Sequence, residues 1–450
     1  MAELELVTNA HDNVIGGRDA SNPLTIAQWK AAQVTAGGLE RLLSIVKSEG
    51  EANSTTHSWI TLATPEQVKL QWTNLEALGP QATTLPLYGV PFAVKDNIDA
   101  QGFITTAACP TFRSVPAASD ATVVSKLKAA GAILIGKTNL DQFATGLVGT
   151  RSPYGAVPNS FDPTRVSGGS SSGSAVVVAR GIVPFSLGTD TAGSGRVPAG
   201  LNNIVGLKPT RGAISTHGVL PACRTLDCIS IFSFTVTDAE TVLSIAEGYD
   251  ISDAYSRSRH DTSSTSFDAF GGSVELLKPN LAICASPKWF GHGNQRSAYE
   301  KALIKAEILG WSLVPMDFDP LFQLARLLYD GPWVAERYEA IRDFIERCPS
   351  DDVDPVVRKI IVRAQSLSAA DVFRGEYLRK ELTRKVEHAF AKFDGILVPT
   401  SPTFPTLDEV HKSPVEENSI LGTYTNFVNF STGPHSPSLL DFARTSFLSV

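Results

Sequence analysis

The chain has 450 residues, of which 43% are hydrophobic and 19% are charged. This length suffices for one large domain with a sizeable core or for about two to three ordinary domains, and the composition is that of a globular protein. The formal net charge of -7 excludes the basic footprint of a protein that binds nucleic acid or an anionic membrane surface, so we expect a small-molecule substrate.

The five cysteines are odd in number and scattered along the chain. This usage argues against a disulfide framework and fits a reducing compartment. The first residues lack a basic region followed by an apolar core, and no apolar run approaches the ~20 residues that span a bilayer. We therefore expect a cytoplasmic protein that does not interact with membranes.

The N-terminal region is predicted to be helical. Apolar positions recur with helical spacing from about Thr25 to Lys47 and are interrupted at Gly37-Gly38, so the pattern predicts two helices. We expect residues 1–60 to form a helical segment packed on the core, and residues 61–450 to form the main domain.

Strand and helix signals alternate beyond this segment. In chain order, the predicted elements are strand-like at 88–94, helix-like at 122–130, apolar at 132–135, and apolar again at 176–179 and 182–187. A Ser/Asp/Thr-rich stretch over 252–272 predicts a surface loop. The later elements are mainly helical at 298–309, 321–347 and 356–393, followed by a strand at 395–399. This alternation favours an α/β fold with catalytic loops at strand ends.

Two glycine- and hydroxyl-rich stretches, over 168–174 and 188–196, follow the isolated Lys95 of the sequence Val-Lys-Asp-Asn. A serine hydroxyl is a poor nucleophile by itself and needs a nearby base and backbone N–H groups that hold the developing oxyanion. These stretches offer both without a histidine. A phosphate-cradling loop is disfavoured because the Gly-x-x-x-x-Gly-Lys-Ser/Thr pattern is absent.

The block from about Leu85 to Arg224 resembles the amidase signature family. This resemblance implies a central mixed β-sheet wrapped by α-helices and a Ser-cis-Ser-Lys triad. In this sequence it makes Ser194 the nucleophile, Ser170 the bridging serine after a cis peptide bond, and Lys95 the base. Lys95 can accept a proton only when neutral, so we expect burial to lower its pKa well below the free value of about 10.4.

The residues around the predicted nucleophile receive roles from the same resemblance. The backbone N–H groups of Thr191, Ala192 and Gly193 are the candidates for the oxyanion hole. Asp190 and Arg196 are expected to brace this loop. The neighbouring serines at 171, 172 and 174 are expected to cap the helix that begins there.

Three segments, over 86–99, 105–110 and 329–338, resemble the allophanate hydrolases within the family. Allophanate is a urea that carries a carboxylate, so its pocket needs a cation and directional donors. Arg337 suits a bidentate grip on that carboxylate, and Tyr329, two helical turns earlier, is expected on the same helix face. Gly146 is a third expected substrate contact.

The reaction implied by this resemblance is the hydrolysis of allophanate to ammonia and carbon dioxide in urea degradation, without metal or other cofactor. The alternatives are a general small-amide amidase, a glutaminase like that of the transfer-RNA amidotransferases, and a non-catalytic scaffold with the amidase fold. The resemblance also implies a homodimer and a functional or covalent link to a biotin-dependent urea carboxylase. Residues 431–450 depart from the family pattern and are expected to form an atypical tail.

Overall fold

A computed structural model describes residues 23–34, 37–257 and 278–431 of the chain. The first two helices are α1 (Ile26–Val34) and α2 (Gly38–Thr56), and they are separated at Gly37, where φ is +98°. The two-helix prediction is therefore confirmed. Trp29 of α1 and Leu42 of α2 are fully buried in the main hydrophobic core. The division of the chain at residue 60 remains a prediction.

The main sheet has six strands: β1 (Trp59–Leu62), β2 (Pro91–Lys95), β3 (Ile133–Thr138), β4 (Phe185–Asp190), β5 (Val205–Leu207) and β6 (Cys228–Ser233). Their spatial order is β1-β3-β2-β4-β6-β5. β2 is parallel to both β3 and β4, whereas the pairs β1–β3, β4–β6 and β5–β6 are antiparallel. The sheet is therefore mixed, as expected.

Every residue of β2, β3, β4 and β6 is buried, as is usual for strands with both faces covered. Phe92 of β2 stacks on Phe185 of β4, with the ring centroids 5.5 Å apart. The helices of this half are α3 (Pro65–Glu76), α4 (Thr122–Ala129), α5 (Ser172–Ala179), α6 (Arg196–Leu201) and α7 (Val236–Ala246). These contacts fix the ends of β2 and β4, where the predicted site residues lie.

The C-terminal half has a second, parallel sheet of three strands in the order β8-β7-β9, formed by β7 (Asn280–Cys284), β8 (Ser312–Met316) and β9 (Gly395–Ile396). Its helices are α8 (Gly293–Ile308), α9 (Asp319–Asp330), α10 (Val334–Ala340), α11 (Arg342–Ile345), α12 (Pro355–Val362), α13 (Ala369–Phe390), α14 (Leu407–Lys412), α15 (Glu416–Leu421) and α16 (Val428–Ser431). Short 3₁₀ turns lie at Pro80–Thr84, Gln142–Ala144, Ser350–Asp352 and Arg363–Ser366.

The stretch expected to be helical over 321–347 is interrupted. The helix α9 ends at Asp330, and α10 begins at Val334. Gly331 still donates its backbone N–H to the carbonyl of Leu327, but the following Pro332 has no N–H with which to continue the pattern. Tyr329 and Arg337 therefore lie on two different helices, and the expectation of a shared helix face is wrong.

Part of the predicted 252–272 loop and nearly all of the predicted 431–450 tail lie outside the described residues, which omit 258–277 and 432–450. Among the described residues, no helix combines the length and apolar character needed to cross a bilayer.

Candidate active site

Lys95 is the last residue of β2, at the carboxyl end of a strand that runs between two parallel neighbours. Its side chain is fully buried. The ammonium nitrogen Nζ lies 2.7 Å from Ser170 Oγ and 2.8 Å from Thr189 Oγ1. Two of the three predicted triad residues, Lys95 and Ser170, are therefore in direct contact.

Burial lowers the pKa of Lys95 from 10.5 to about 7. Three buried carboxylates, those of Asp141, Asp227 and Asp190, act in the opposite direction, while the positive charge of Arg337 adds to the lowering. Desolvation exceeds the attraction of the carboxylates, because a charged amine loses its hydration entirely at this position. A large share of Lys95 is therefore neutral near pH 7, as a general base requires.

Ser170 follows a cis peptide bond between Gly169 and Ser170, as the family resemblance implies. It precedes α5, whose first residue is Ser172. The expected capping of this helix by serine side chains is wrong. Ser171 Oγ donates to the carbonyl of Thr189 instead, and Ser174 Oγ donates to the carbonyl of Leu187. These serines tie the Ser170 segment to β4 because their hydroxyls point across to the sheet.

The loop that carries Ser194 connects β4 to α6. Its two ends are joined by a buried ion pair in which Arg196 donates from Nε and Nη2 to the two oxygens of Asp190, at 2.9 and 2.8 Å. Gly195 N also donates to Asp190, at 3.0 Å. Burial alone raises the pKa of Asp190, but Arg196 outweighs it, so the pKa lies below its usual value. The expected bracing role of this pair is confirmed.

The Ser194 side chain is buried within this loop. Among the described residues, no hydrogen bond joins Ser170 to Ser194, so the direct contacts extend from Lys95 to Ser170 and stop there. The role of Ser194 as nucleophile remains a prediction.

The three oxyanion-hole candidates directly precede Ser194. Thr191 and Ala192 are buried, and the Thr191 hydroxyl donates to Asp227 Oδ1 at 2.5 Å. A Cβ atom at Gly193 would collide with the side chain of Thr425, so only glycine fits there without a rearrangement. The backbone is therefore tightly held where the oxyanion donors are expected, and their role remains a prediction.

Arg337 is buried, and its Nη1 lies 3.0 Å from Thr145 Oγ1 and 3.2 Å from the carbonyl of Ala144. Its guanidinium carbon lies 5.9 Å from the ring centroid of Tyr329, so the two side chains meet although their helices differ. Gly146 directly follows Thr145, and a Cβ atom there would come within 2.5 Å of Asp141 Oδ2. The three predicted substrate contacts are thus close to one another.

Arg337 has one buried group without a partner. Its Nε finds no hydrogen-bond acceptor among the described residues. A buried donor without a partner is costly, so such a group is a natural contact for an anionic ligand. Because the charge of Arg337 also lowers the pKa of Lys95, the guanidinium is close enough to the base to belong to one site.

Sequence reasoning missed four polar residues that hold this site together. Thr189 is the second partner of Lys95, and Asp141 accepts hydrogen bonds from the backbone of Val148, Gly149 and Arg151. Asp227 binds Thr191, and Asn429 Nδ2 donates to the carbonyls of Asp190 and Leu226 at 2.9 and 3.0 Å. Thr189 lies inside a motif that the sequence singled out, whereas the other three carry no local signal.

The comparisons with known proteins agree with this geometry. The profile of the family described as Amidase matches residues 40–441. The chain belongs to the amidase family. It is 50% identical over 392 residues to a urea amidolyase of Lachancea kluyveri, and the match covers 87% of this chain but 21% of that protein.

Two further relatives complete the comparison. A solved structure of Kluyveromyces lactis allophanate hydrolase superposes with a TM-score of 0.85 and 45% identity, covering 92% of this chain and 66% of that one. A glutamyl-tRNA(Gln) amidotransferase polypeptide of Koribacter versatilis is 34% identical, and the match covers 84% of this chain and 82% of that protein. This family member therefore spans about a fifth of the urea amidolyase and just under two thirds of the solved allophanate hydrolase.

The described part of this amidase family member contains no group of three or more His, Cys, Asp or Glu side chains arranged to hold a metal ion. All five cysteines are free thiols.

Proposed function

We propose that this chain is an allophanate hydrolase that acts through Ser194, Ser170 and Lys95. The observation that carries the proposal is the combination of a buried base with a buried cation. Lys95, with a pKa of about 7, contacts Ser170 at 2.7 Å, and Arg337 is close enough to lower that pKa. A hydrolase for a small amide that carries a carboxylate needs this combination of groups.

The proposed reaction begins with the neutral form of Lys95. The amine accepts the proton of Ser170 while Ser170 takes the proton of Ser194, and Ser194 Oγ forms a bond to the terminal amide carbonyl carbon of allophanate. The protonated lysine returns its proton through Ser170 to the leaving nitrogen, so ammonia departs from the tetrahedral intermediate. Water then hydrolyses the acyl-enzyme, and the resulting carboxylated carbamate decomposes to carbon dioxide and a second ammonia.

The oxyanion of the tetrahedral intermediate is assigned to the backbone N–H groups of Thr191, Ala192 and Gly193. Small residues at 192 and 193 let a carbonyl oxygen approach the chain closely, and the Asp190–Arg196 ion pair keeps the loop in place. Loss of one such donor typically costs about 3–4 kcal/mol in the reaction barrier.

Substrate choice is assigned to Arg337, Tyr329 and Gly146. The buried Nε of Arg337 has no acceptor among the residues that the structure describes, so the carboxylate of allophanate would satisfy it. The Tyr329 ring, 5.9 Å from the guanidinium carbon, helps to hold the cation in position. The lack of bulk at Gly146 leaves room beside the Thr145 contact.

Further proposals concern the setting of the enzyme. The similarity to urea amidolyases supports a functional or covalent link to a biotin-dependent urea carboxylase that supplies allophanate. We further propose that the protein acts as a homodimer in the cytoplasm, and that residues 1–60 support the core formed by the rest of the chain.

The test is ammonia release by the purified chain from allophanate, from malonamate and from a neutral amide. Ser194→Ala is compared with Ser58→Ala, which removes a buried hydroxyl from the segment before β1. We expect release from allophanate to be abolished in Ser194→Ala and retained in Ser58→Ala. Activity mainly on the neutral amide would contradict the proposed substrate and favour a general amidase. No activity in a folded sample would favour a non-catalytic protein.

A further inference from the structure

Asp227 lies next to the oxyanion loop and takes no part in the proposed proton transfer. Its carboxylate is buried and receives three hydrogen bonds. Thr191 Oγ1 donates to Oδ1 at 2.5 Å, Cys223 N donates to Oδ1 at 3.2 Å, and Ala222 N donates to Oδ2 at 2.8 Å. Both oxygens are thus occupied by protein donors.

The contact between Thr191 and Asp227 continues the sheet by one further pair. The antiparallel strands β4 and β6 are paired up to Asp190 opposite Cys228. In an antiparallel pair, the residue after Asp190 faces the residue before Cys228, so Thr191 and Asp227 are the next opposing positions. The side-chain hydrogen bond therefore holds the loop where strand pairing has ended.

The turn before Asp227 is also attached to the helix that carries Arg337. Thr225 donates from its backbone N to Glu336 Oε2 at 2.9 Å and from its hydroxyl to Glu336 Oε1 at 2.5 Å. Cys223 Sγ lies 3.6 Å from the carbonyl of Trp333, at the start of the same helix, α10. One short segment, 222–227, therefore contacts both the oxyanion loop and the Arg337 helix.

We propose that Asp227 is a positioning residue that sets the oxyanion hole. By fixing the Thr191 hydroxyl it aligns the backbone N–H groups of 191–193, and through the 222–227 turn it fixes their distance from Arg337. This inference rests on the proposed function, because it assumes that Ser194 attacks a carbonyl whose oxygen these N–H groups bind. It adds a residue that determines how well the transition state is held.

The test uses the shape of threonine. Thr191→Val keeps the volume but removes the hydroxyl, Thr191→Ser keeps the hydroxyl, and Thr191→Ala removes the hydroxyl without adding a buried methyl group in its place. The matched control is Thr383→Val in α13, a buried threonine whose hydroxyl has no partner in the described part of the chain. Two rates are measured for each variant: kcat and KM for allophanate, and covalent phosphonylation of Ser194 by a fluorophosphonate probe.

We expect Thr191→Val and Thr191→Ala to lower kcat and the phosphonylation rate by about 10- to 100-fold, the effect of losing one hydrogen bond to a charged acceptor that acts in the transition state. KM should change by less than about twofold, since the bond does not contact the ground-state substrate. Thr191→Ser should recover most of the rate, and Thr383→Val should match the wild type.

The inference is overturned if Thr191→Val and Thr191→Ala keep the wild-type phosphonylation rate, or if Thr191→Ser is as slow as they are. It is also overturned if the loss lies in KM or if Thr383→Val is equally slow. Thermal unfolding of each variant identifies any loss that comes from misfolding, and Thr191→Ala decides if Thr191→Val does not fold. A wild type that reacts with the probe but releases no ammonia from allophanate contradicts the proposed substrate alone, because the inference is judged on the ratio of probe rates.

Discussion

Lowering the pH should inactivate the enzyme by protonating Lys95. Because burial lowers the pKa of Lys95 to about 7, about nine tenths of this amine is neutral at pH 8, about one tenth at pH 6 and about one hundredth at pH 5. Only the neutral form can accept a proton from Ser170, so the acylation rate should follow these fractions. The rate should fall about tenfold from pH 8 to pH 6, and about another tenfold by pH 5.

The assay is the second-order rate of Ser194 phosphonylation by a fluorophosphonate between pH 5 and pH 10. This readout avoids the instability of allophanate in acid. The rate should rise about tenfold per pH unit up to about pH 7 and then level off. Lys95→Ala should react slowly at every pH, which shows that the titration belongs to this residue.

Two results would refute this reasoning. A rate that keeps rising between pH 8 and pH 10 would mean that Lys95 titrates near its ordinary pKa of about 10.4 despite its burial. A wild-type rate that does not depend on pH, or a pH profile that Lys95→Ala leaves unchanged, would mean that another group is the base.

Three further predictions concern the stability and support of the site. The pKa of Lys95 is about 7 in the folded chain and 10.5 as a free group, so the unfolded state binds more protons between these values and the unfolding free energy should rise with pH in that window. Lys95→Met, which cannot titrate, should therefore stabilise the protein more at pH 6 than at pH 9, as measured by urea denaturation at the two pH values; equal gains would contradict the lowered pKa. Asp190→Asn leaves the buried Arg196 without its counter-ion and should cost about 3–5 kcal/mol of unfolding free energy in the same measurement. A loss below about 1 kcal/mol, as for an exposed pair, would refute the bracing role. Asn429→Asp keeps an acceptor for Arg196 but loses the donors to the carbonyls of Asp190 and Leu226, so it should lower both the melting temperature and the phosphonylation rate. An unchanged rate in the folded variant would mean that these two hydrogen bonds do not hold the nucleophile loop.

Most of the catalytic centre was predictable because its signal is local. The motifs at 168–174 and 188–196 predicted Ser170 and its cis peptide bond, and the apolar flank of Lys95 predicted the burial that lowers its pKa. The α/β class and the two N-terminal helices followed from periodicity. These features depend on neighbours within a few positions of the chain.

The supporting residues could not be found in this way because their partners are distant in sequence. Asn429 is separated by 239 positions from Asp190 and by 203 from Leu226. Asp227 is separated by 36 positions from Thr191, and the sequence singled out its neighbour Cys228 only as one of two closely spaced cysteines. A hydrogen bond between remote segments leaves no periodic pattern, so only the folded arrangement reveals it.

The two wrong expectations have a common physical cause. Ser171 and Ser174 look like helix caps, but their hydroxyls donate to carbonyls of β4, which lies beside them in the fold. The helical pattern over 321–347 hides a break, because Gly331 and Pro332 interrupt an otherwise regular apolar spacing. In both cases the local preference is real, and the tertiary environment decides which hydrogen bonds form.

The central claim, that this amidase recognises the carboxylate of allophanate through Arg337, is tested most directly by comparing two substrates. The values of kcat/KM for allophanate and for a neutral amide are measured in the wild type, in Arg337→Leu and in Arg342→Leu, a control in the adjacent α11 whose arginine is half-exposed. We predict that Arg337→Leu lowers kcat/KM for allophanate by at least about 30-fold, mainly through KM, and leaves the neutral amide within about threefold. Equal losses for both substrates, or no loss for allophanate, would contradict the claim.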